Sequence, residues 1–320
     1  MSWYLRPSHP LLAKSAALAG ALTVTGRRGP VEVRRLRDSG LDVPVLFDGL
    51  GYAGADLPDA SEWVNTQLGV GAHLPLLPGM FVPWDKNDVN PLLISIKEQA
   101  SLAADFAAGM LIALDARWVA KKYTLLANAL CDANCPVALV LADRADPLAI
   151  GGAVTGLKWI SQRVPQLSIL RSDHGAIGAV AFGAAHASIG LNTSTRHFAT
   201  SAMRPHKIPG GSARVFIRSL LDWFRASEIA GWTAAGLDLS CRLPCCDGAT
   251  LARFLDDDLD ATWHNMNALA DFADAVISNR IDDRAIDFLN ECRAAAARYG
   301  LAGFKGPENP KAQLTGWALS

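Results

Sequence analysis

The sequence has no long hydrophobic run and no large excess of either charge. The longest apolar stretch near its start, residues 11–24, contains Lys14 and falls short of the roughly 20 residues that a membrane span needs. The 30 lysine and arginine residues nearly equal the 31 aspartate and glutamate residues, which excludes a strongly basic surface over the whole protein. No signal-peptide cleavage site follows the apolar stretch, so we expect a cytoplasmic protein without a membrane contact.

The chain also lacks short internal repeats, and no Gly-Lys-Ser or Gly-Lys-Thr of a P-loop follows its glycine-rich stretch 149–156. These absences exclude a repeat protein and a nucleotide-binding protein of the P-loop type. Half of the residues are hydrophobic and 19% are charged, which supplies enough apolar material for a sizeable core.

Short apolar runs alternate with amphipathic segments over most of the chain. Six runs are almost continuously apolar, as expected for strands covered on both faces: residues 21–26, 43–48, 109–116, 136–143, 167–173 and 187–191. A seventh run at 73–83 is interrupted by proline, and an eighth at 237–241 is short. The alternation predicts an α/β fold, a (β/α)8 TIM-type barrel rather than its alternative, an open doubly wound sheet.

The character of the sequence changes near Cys241. The residues that follow it form amphipathic helical patterns without a further strand pattern, and they are rich in carboxylates. We therefore expect a (β/α)8 barrel domain over residues 1–235 and a C-terminal helical region, which begins with a cysteine-rich stretch, over residues 236–320.

Three aspartates end apolar runs at the positions where a parallel barrel carries its chemistry. Asp48 ends the run 43–48, Asp115 follows the apolar part of 109–116, and Asp173 is followed directly by His174. Each carboxylate could instead cap the next helix. Three of them on different strands favour a shared site at one end of the barrel.

Further candidate binding residues lie in loops at the same predicted rim. The glycine-rich stretch 149–156 resembles a small-ligand cradle, and Arg196 and His197 follow the predicted strand 187–191. A locally basic run extends over residues 196–218. It is either a solvated surface or a contact to the phosphate backbone of a nucleic acid.

Three of the six cysteines, Cys241, Cys245 and Cys246, fall within six residues, and His264 follows them. In a reducing compartment such a cluster favours a metal over a disulfide, and structural zinc takes four cysteine and histidine ligands. Asp247 could replace one ligand. The alternative is a set of buried thiols, since free cysteine is among the most buried residue types.

The order of these features resembles the tRNA-guanine transglycosylases. "CRLPCC" and "ATWHN" are similar to the cysteine knuckle of that family and to the setting of its histidine ligand, with Cys245 replacing a middle cysteine that would stand at Leu243. "VLFDGLGYAG", "LIALDA", "LAIGGAVTG" and "STR" resemble, in order, the catalytic-aspartate, base-recognition, glycine and Pro-Thr-Arg motifs of the family.

The resemblance implies base exchange at a guanine or deazaguanine in tRNA or DNA, with structural Zn²⁺. It makes Asp48 a general acid/base and Asp115 the reader of the purine edge, and it brings the backbone of Gly151 and Gly152 to the base. The nucleophilic aspartate of the family falls at residues 188–190, where no carboxylate is present.

We therefore expect Asp173 to be the nucleophile, with His174 or His197 as its support and Arg196 as a binding residue. A homo- or hetero-oligomer is compatible with this scheme. Two alternatives remain open. One is a catalytically silent nucleic-acid-binding or partner subunit of such an enzyme, and the other is an unrelated barrel enzyme that acts on a nucleoside or a sugar.

Overall fold

The computed structural model describes residues 1–200, 202–203, 212–255, 257–301, 304 and 306–320, and the chain divides into two units. The first unit contains residues 1–190 and 194–204, and the second contains residues 191–193 and 205–320. Residues 201 and 204–211 of the predicted basic run lie outside the described residues.

Parallel strands alternate with helices along the first unit. In the part of the chain that the structure describes, its strands are β1 (Ser2–Leu5), β2 (Leu22–Thr25), β3 (Val45–Asp48), β4 (Met80–Val82), β5 (Met110–Asp115), β6 (Val137–Ala142), β7 (Leu167–Ser172) and β8 (His186–Gly190). The helices along the same stretch are α1 (Leu12–Ala19), α2 (Gly29–Asp38), α3 (Ala60–Leu68), α4 (Asn90–Asp105), α5 (Ala116–Asp132), α6 (Ala153–Ser161), α7 (Gly175–Ala181) and α8 (Thr193–Arg196).

The strands form one curled parallel sheet in the order β3-β2-β1-β8-β7-β6-β5-β4. The first strand, β1, pairs with β2 on one side and with the last strand, β8, on the other, which is the strand neighbourhood of a TIM barrel. This half-barrel confirms the predicted α/β TIM-type fold. Strands β5 and β6 are buried at every residue, because helices cover one face and the barrel interior covers the other.

The sequence pattern does not reveal strand β1, and the prediction of a strand at 237–241 is wrong. Buried polar contacts hold β1 in the sheet, since the Ser2 hydroxyl lies 2.8 Å from both Thr23 Oγ1 and His186 Nε2. The run 237–241 makes only the single bridge between Ser240 and Thr250 among the described residues. Strand β1 was missed because its four residues, a serine, two aromatics and a leucine, are too short a pattern to indicate a strand.

The sheet is open between β3 and β4. The proline-rich run 73–83 forms only a short strand, β4, because proline cannot donate to a ladder. Two backbone hydrogen bonds still connect the loops at this seam, from His73 N to Val45 O (2.9 Å) and from Gly51 N to Pro78 O (3.1 Å).

The second unit combines a two-stranded hairpin with helices. Its described elements are β9 (Arg214–Ile217), β10 (Asp222–Arg225), α9 (Ala226–Ala234), α10 (Asp258–Ile277), α11 (Arg284–Tyr299) and α12 (Ala312–Ala318). Helix α10 begins in the acidic run because the Asp257 side chain accepts hydrogen bonds from the backbone N–H groups of Leu259 and Asp260. None of the described helices of the chain combines the length and the apolar character of a membrane span.

Asn265 of α10 attaches the hairpin to the helices of the second unit. Its Oδ1 accepts from Phe216 N and its Nδ2 donates to Arg214 O, both at 2.7 Å. The hairpin therefore belongs with the C-terminal helices, whereas the predicted boundary at residue 235 assigns it to the barrel. The sequence pattern does not reveal β9 and β10, and that omission misplaces the boundary.

Candidate functional site

Asp48 is fully buried at the C-terminal end of β3, inside the mouth of the barrel. Its Oδ2 accepts hydrogen bonds from the hydroxyls of Tyr4, at the end of β1, and of Tyr52 (2.7 Å), in the turn after β3. Its Oδ1 accepts from Leu50 N at 2.9 Å. The carboxylate is thus held by three donors from the ends of β1 and β3, the strands on either side of β2.

Burial dominates the electrostatics of this cluster. It raises the pKa of Asp48 above the ordinary value, although the hydrogen bonds from Tyr4, Tyr52 and Leu50 N act in the opposite direction. Burial, together with the Asp48 charge, raises the pKa of both tyrosines far above their usual range. Both hydroxyls are therefore protonated donors at neutral pH.

Arg171 connects the Asp48 cluster to the rim of the barrel. Its Nη1 donates to the Tyr52 hydroxyl (3.3 Å) and its Nη2 donates to Ser194 O (2.9 Å). The residue has a φ of 51° next to a register shift in β7, and such a bulge redirects a side chain. Its guanidinium lies 5.3 Å from the ring centroid of Phe198. Burial acts to lower the Arg171 pKa, but the tyrosines and Asp48 outweigh it and raise that pKa.

Below this polar mouth, the barrel interior is filled with apolar side chains. The cluster consists of Tyr4, Leu46, Tyr52, Leu76, Leu111, Ala113, Ala138, Val140, Ala142, Leu170 and Phe198. The barrel is therefore a packed core that supports chemistry only at its rim.

Asp115 lies at the end of β5, as predicted, and is also buried. Its Oδ1 accepts from the backbone N of Arg117 (3.0 Å) and caps α5. The Arg117 guanidinium also binds both carboxylate oxygens, with distances of 2.8 Å and 2.7 Å. In this arrangement the carboxylate forms a helix cap and a bidentate ion pair.

The predicted residues Asp173, His174 and His197 lie at the rim beyond β7 and β8. Asp173 Oδ1 accepts from Gly175 N (2.9 Å), and it lies 4.0 Å from His174 Nδ1. Burial lowers the pKa of His197, and the nearby Arg196 and Arg171 add to this effect, while Asp173 partly opposes it. His197 is therefore neutral near pH 7 and is electrostatically coupled to Asp173. Arg196 is buried at the end of α8.

The two predicted glycines at the start of α6 differ in their surroundings. Gly152 has a φ of 95°, and a Cβ there would lie 2.7 Å from Ala120 O, so backbone packing requires the glycine. Gly151 is exposed, and its carbonyl accepts a hydrogen bond from Lys121 Nζ (3.0 Å).

In the second unit, the structure brings Cys241, Cys245, Cys246 and His264 together, as the sequence predicted. One ligand atom from each residue lies within 4.8 Å of the others. His264 Nδ1 is 3.3 Å from Cys246 Sγ and 3.9 Å from Cys245 Sγ, and these two sulfur atoms are 3.6 Å apart. Three thiols and one imidazole in this arrangement could hold a tetrahedral metal ion, and zinc fits the donor set.

A tight turn allows the adjacent cysteines to face the same point. Cys246 N donates to Leu243 O (2.9 Å), and Gly248 N donates back to Cys241 O (2.8 Å). Asp247 and Gly248 both have positive φ, at 48° and 82°, which reverses the chain. Cys245 is part of the cluster, and Asp247 forms the turn.

The orientation of His264 suits a metal ligand. Its Nε2 lies 3.0 Å from Phe216 O, and because a carbonyl only accepts, Nε2 carries the proton. Nδ1 therefore faces the sulfurs, as in metal sites whose histidine is held by a backbone carbonyl. Burial acts to lower the pKa of His264, but the hydrogen bonds with Cys241, Cys245 and Cys246 raise it to about 11, so metal binding would displace the proton from Nδ1. Burial acts to raise the pKa of Cys246, but the contacts to His264 and Arg253 lower it to about 6. The thiolate is the form that binds metals.

Sequence reasoning missed Tyr4, Tyr52 and Arg171. The signal for Tyr4 lay in "SWYL", a strand too short to stand out, and the signal for Arg171 was a charge inside an apolar run. No protein-family model matches the chain, and no curated protein matches it significantly.

Proposed function

We propose that the protein is a zinc-containing barrel enzyme of the transglycosylase type, which exchanges a guanine or deazaguanine base in tRNA or DNA. One observation carries the proposal: the barrel mouth holds a buried carboxylate, Asp48, under two tyrosine donors. Arg171 connects this cluster to the rim that carries Asp173 and His197.

The two carboxylates have environments that suit different tasks. The Asp173 side chain is 17% exposed, lies 4.0 Å from His174 Nδ1 and is electrostatically coupled to the neutral His197, so it can act as the nucleophile. Its oxygen would form a bond to the ribose C1′ as the bond from C1′ to the base nitrogen breaks, and the departing base takes that electron pair. The incoming base would then reverse these steps and free the Asp173 carboxylate.

Asp48 suits proton transfer because its pKa is raised. Its carboxyl is fully buried, so we assign the contact with the substrate to the Tyr52 hydroxyl, which belongs to a residue that is 6% exposed and is bonded to Asp48. A proton would reach the departing base through Tyr52 and be replaced from Asp48. The incoming base would return it by the same route.

The surroundings of Gly190 support a nucleophile from another strand. This residue lies within the stretch where the resemblance places the nucleophilic aspartate. A Cβ on Gly190 would lie 2.0 Å from Thr195 O, so the backbone leaves no room for any side chain. A carboxylate would have to come from a neighbouring strand end, and Asp173 after β7 supplies one.

Zinc would be held by Cys241, Cys245, Cys246 and His264. The ion would cross-link the cysteine turn to α10 and supply folding free energy to the second unit. No step of the base exchange requires it.

A second candidate is a catalytically silent nucleic-acid-binding subunit. The observation that favours it is the complete burial of Asp48 together with its three hydrogen bonds, an arrangement that also suits a structural role.

Incorporation of labelled guanine into tRNA and into DNA tests both candidates. We expect exchange by the wild type and its loss in Asp48→Asn and Asp173→Asn. Asp59→Asn is the matched control, since the exposed Asp59 also accepts from a backbone N–H, that of Glu62 (2.9 Å), and caps α3. Nucleic-acid binding without exchange would support the silent subunit. The absence of both binding and exchange would leave an unrelated barrel enzyme.

A further inference from the structure

A cleft of about 500 Å³ opens at the C-terminal ends of β1, β2 and β3. We call it the arginine cleft, because Arg6 from the loop after β1 and both Arg27 and Arg28 from the loop after β2 line it. In a barrel this is the end that binds ligands. Neither the site at the barrel mouth nor the cysteine cluster includes these arginines.

The cleft concentrates positive charge in a protein whose net charge is −1. Its only carboxylate among the described lining residues is Glu32, which is already bonded to Arg35 at 2.6 Å. Three guanidinium groups therefore face the cleft with little opposing charge.

The three arginine side chains have few competing partners. The Arg28 side chain makes no hydrogen bond to any described residue. Arg27 makes one long contact of 3.5 Å to the exposed Asp56, and Arg6 makes one of 3.4 Å to Ser194 Oγ. The guanidinium groups are available to an anion at little cost in existing bonds.

The backbone adds to this preference for an anion. Helix α2, ten residues long, begins beside the cleft at Gly29, and no described side chain caps its N-terminus. The dipole of a helix N-terminus favours negative charge. Gly29 N already donates to Gly26 O (2.9 Å) and Pro30 has no N–H, so α2 contributes its dipole rather than a row of free donors. Gly26, with a φ of 77°, turns the chain from β2 into this helix.

The cleft is adjacent to the Asp48 cluster. Thr25, which lines the cleft, is paired with Asp48 in the sheet, and Gly26 N donates to Asp48 O at 2.7 Å. Leu50 lines the cleft and also packs on the apolar interior cluster. A ligand anchored in the cleft would therefore extend toward the barrel mouth.

We propose that the arginine cleft binds a phosphate group, held by the guanidinium groups of Arg6, Arg27 and Arg28 and favoured by the dipole of α2. Guanidinium forks match the geometry of phosphate oxygens, which makes a phosphate ester the fitting ligand class. The phosphate belongs either to a small phosphate ester or to a nucleic-acid backbone. The inference is independent of the proposed base exchange, since it concerns binding alone.

Isothermal titration of the full-length protein tests the proposal with inorganic phosphate, guanosine 5′-monophosphate, guanosine and a single-stranded oligonucleotide. We expect the phosphate-bearing probes to bind and guanosine to bind at least about tenfold more weakly than its monophosphate. Arg6→Gln and Arg28→Gln should each weaken the phosphate probes about tenfold, the loss expected for one charge-assisted hydrogen bond. Arg34→Gln is the matched control, because Arg34 is an exposed arginine of α2 outside the cleft.

The probes also separate the two sources of phosphate. Tighter binding of the oligonucleotide than of the monophosphate, with a steep fall as salt rises, identifies a nucleic-acid backbone. Similar affinities identify a small phosphate ester, and either result supports the cleft. The proposal is overturned if the monophosphate binds no better than guanosine. It is also overturned if Arg34→Gln weakens binding as much as Arg28→Gln, or if neither cleft variant changes binding.

Discussion

The Tyr52 hydroxyl donates a 2.7 Å hydrogen bond to Asp48 Oδ2 while it accepts one from Arg171 at 3.3 Å. A guanidinium, a phenol and a carboxylate therefore form a chain from the rim into the barrel. The positive end of this chain polarises the hydroxyl toward the buried acid, so each hydrogen bond strengthens the other. The same chain is the route that we propose for a proton.

Tyr52→Phe should lower the free energy of unfolding by about 1–3 kcal/mol, because it removes a donor from a buried carboxyl group. Urea unfolding at neutral pH measures the change. Tyr123→Phe is the control, since the Tyr123 hydroxyl makes no hydrogen bond to any described residue, and its effect should stay within about 0.5 kcal/mol. Equal losses in the two variants would show that the bond to Asp48 contributes nothing.

The stability of the wild type relative to Asp48→Asn should fall as the pH rises from about 4. Burial holds the folded-state pKa of Asp48 above its ordinary value of 3.8, so between these pKa values the folded state binds a proton that the unfolded state has released. The associated stability is fully present below the unfolded pKa and is lost as the pH rises through the folded pKa.

Chemical unfolding of both proteins at about pH 4, 6 and 8 measures this difference, because the amide side chain of the variant does not titrate. A wild type that gains stability over the variant as the pH rises would mean that the hydrogen bonds outweigh burial.

The TIM-type fold followed from the sequence because buried parallel strands read as continuous apolar runs, as in the residues of β5 and β6. Strand β1 was not predicted because the four residues "SWYL" are too short a pattern to indicate a strand. Its extended conformation is fixed by pairing with β2 and β8. Asp48 was a candidate because it ends an apolar run. Its partner Tyr4 is 44 residues away, and only the pairing of β1 and β3 with β2 in the curled sheet brings the two side chains together.

The cluster of Cys241, Cys245, Cys246 and His264 was the most predictable part, because three of its four residues are close in sequence. For Asp115 the sequence allowed both a site and a helix cap, and a cap with an ion pair to Arg117 is what the structure contains. The arginine cleft was overlooked because "GRRGP" has no chemical signature until β1 places Arg6 beside it.

Gly156→Ala should destabilise the first unit by about 2–3 kcal/mol through overpacking. A Cβ on Gly156 in α6 would lie 1.9 Å from Val119 O in α5, so the two helices would have to separate. Gly151→Ala is the control, since nothing lies within 4 Å of its added Cβ. Thermal unfolding compares the variants, and equal melting temperatures would contradict the close packing of these helices.

Purified protein should contain about one equivalent of zinc, and Cys246→Ser should lose it. Elemental analysis measures the metal, and a chelator should lower the unfolding temperature of the wild type but not of the variant. Cys131→Ser is the matched control because Cys131 is an exposed thiol outside the cluster. Zinc below about half an equivalent, unchanged by Cys246→Ser, would refute the site.

Arg253→Gln should weaken zinc binding about 10- to 100-fold, the usual effect of removing a group that supports a metal ligand. Arg253 Nη2 lies 3.5 Å from Cys246 Sγ and 3.3 Å from Cys245 O, so its charge stabilises the thiolate and its hydrogen bond fixes the turn. Its guanidinium also pairs with Asp260 at the start of α10, which connects the cysteine turn to the helix that carries His264.

Competition with a chromogenic chelator measures the zinc affinity of the Arg253 variant. Arg242→Gln removes the same charge from the same turn, but the Arg242 side chain is exposed and makes no hydrogen bond to a described residue, so the zinc affinity of this control should stay within about twofold of the wild type. If both variants lose affinity equally, the effect of Arg253 is general electrostatics. If neither does, the contact to Cys246 has no role in holding the metal.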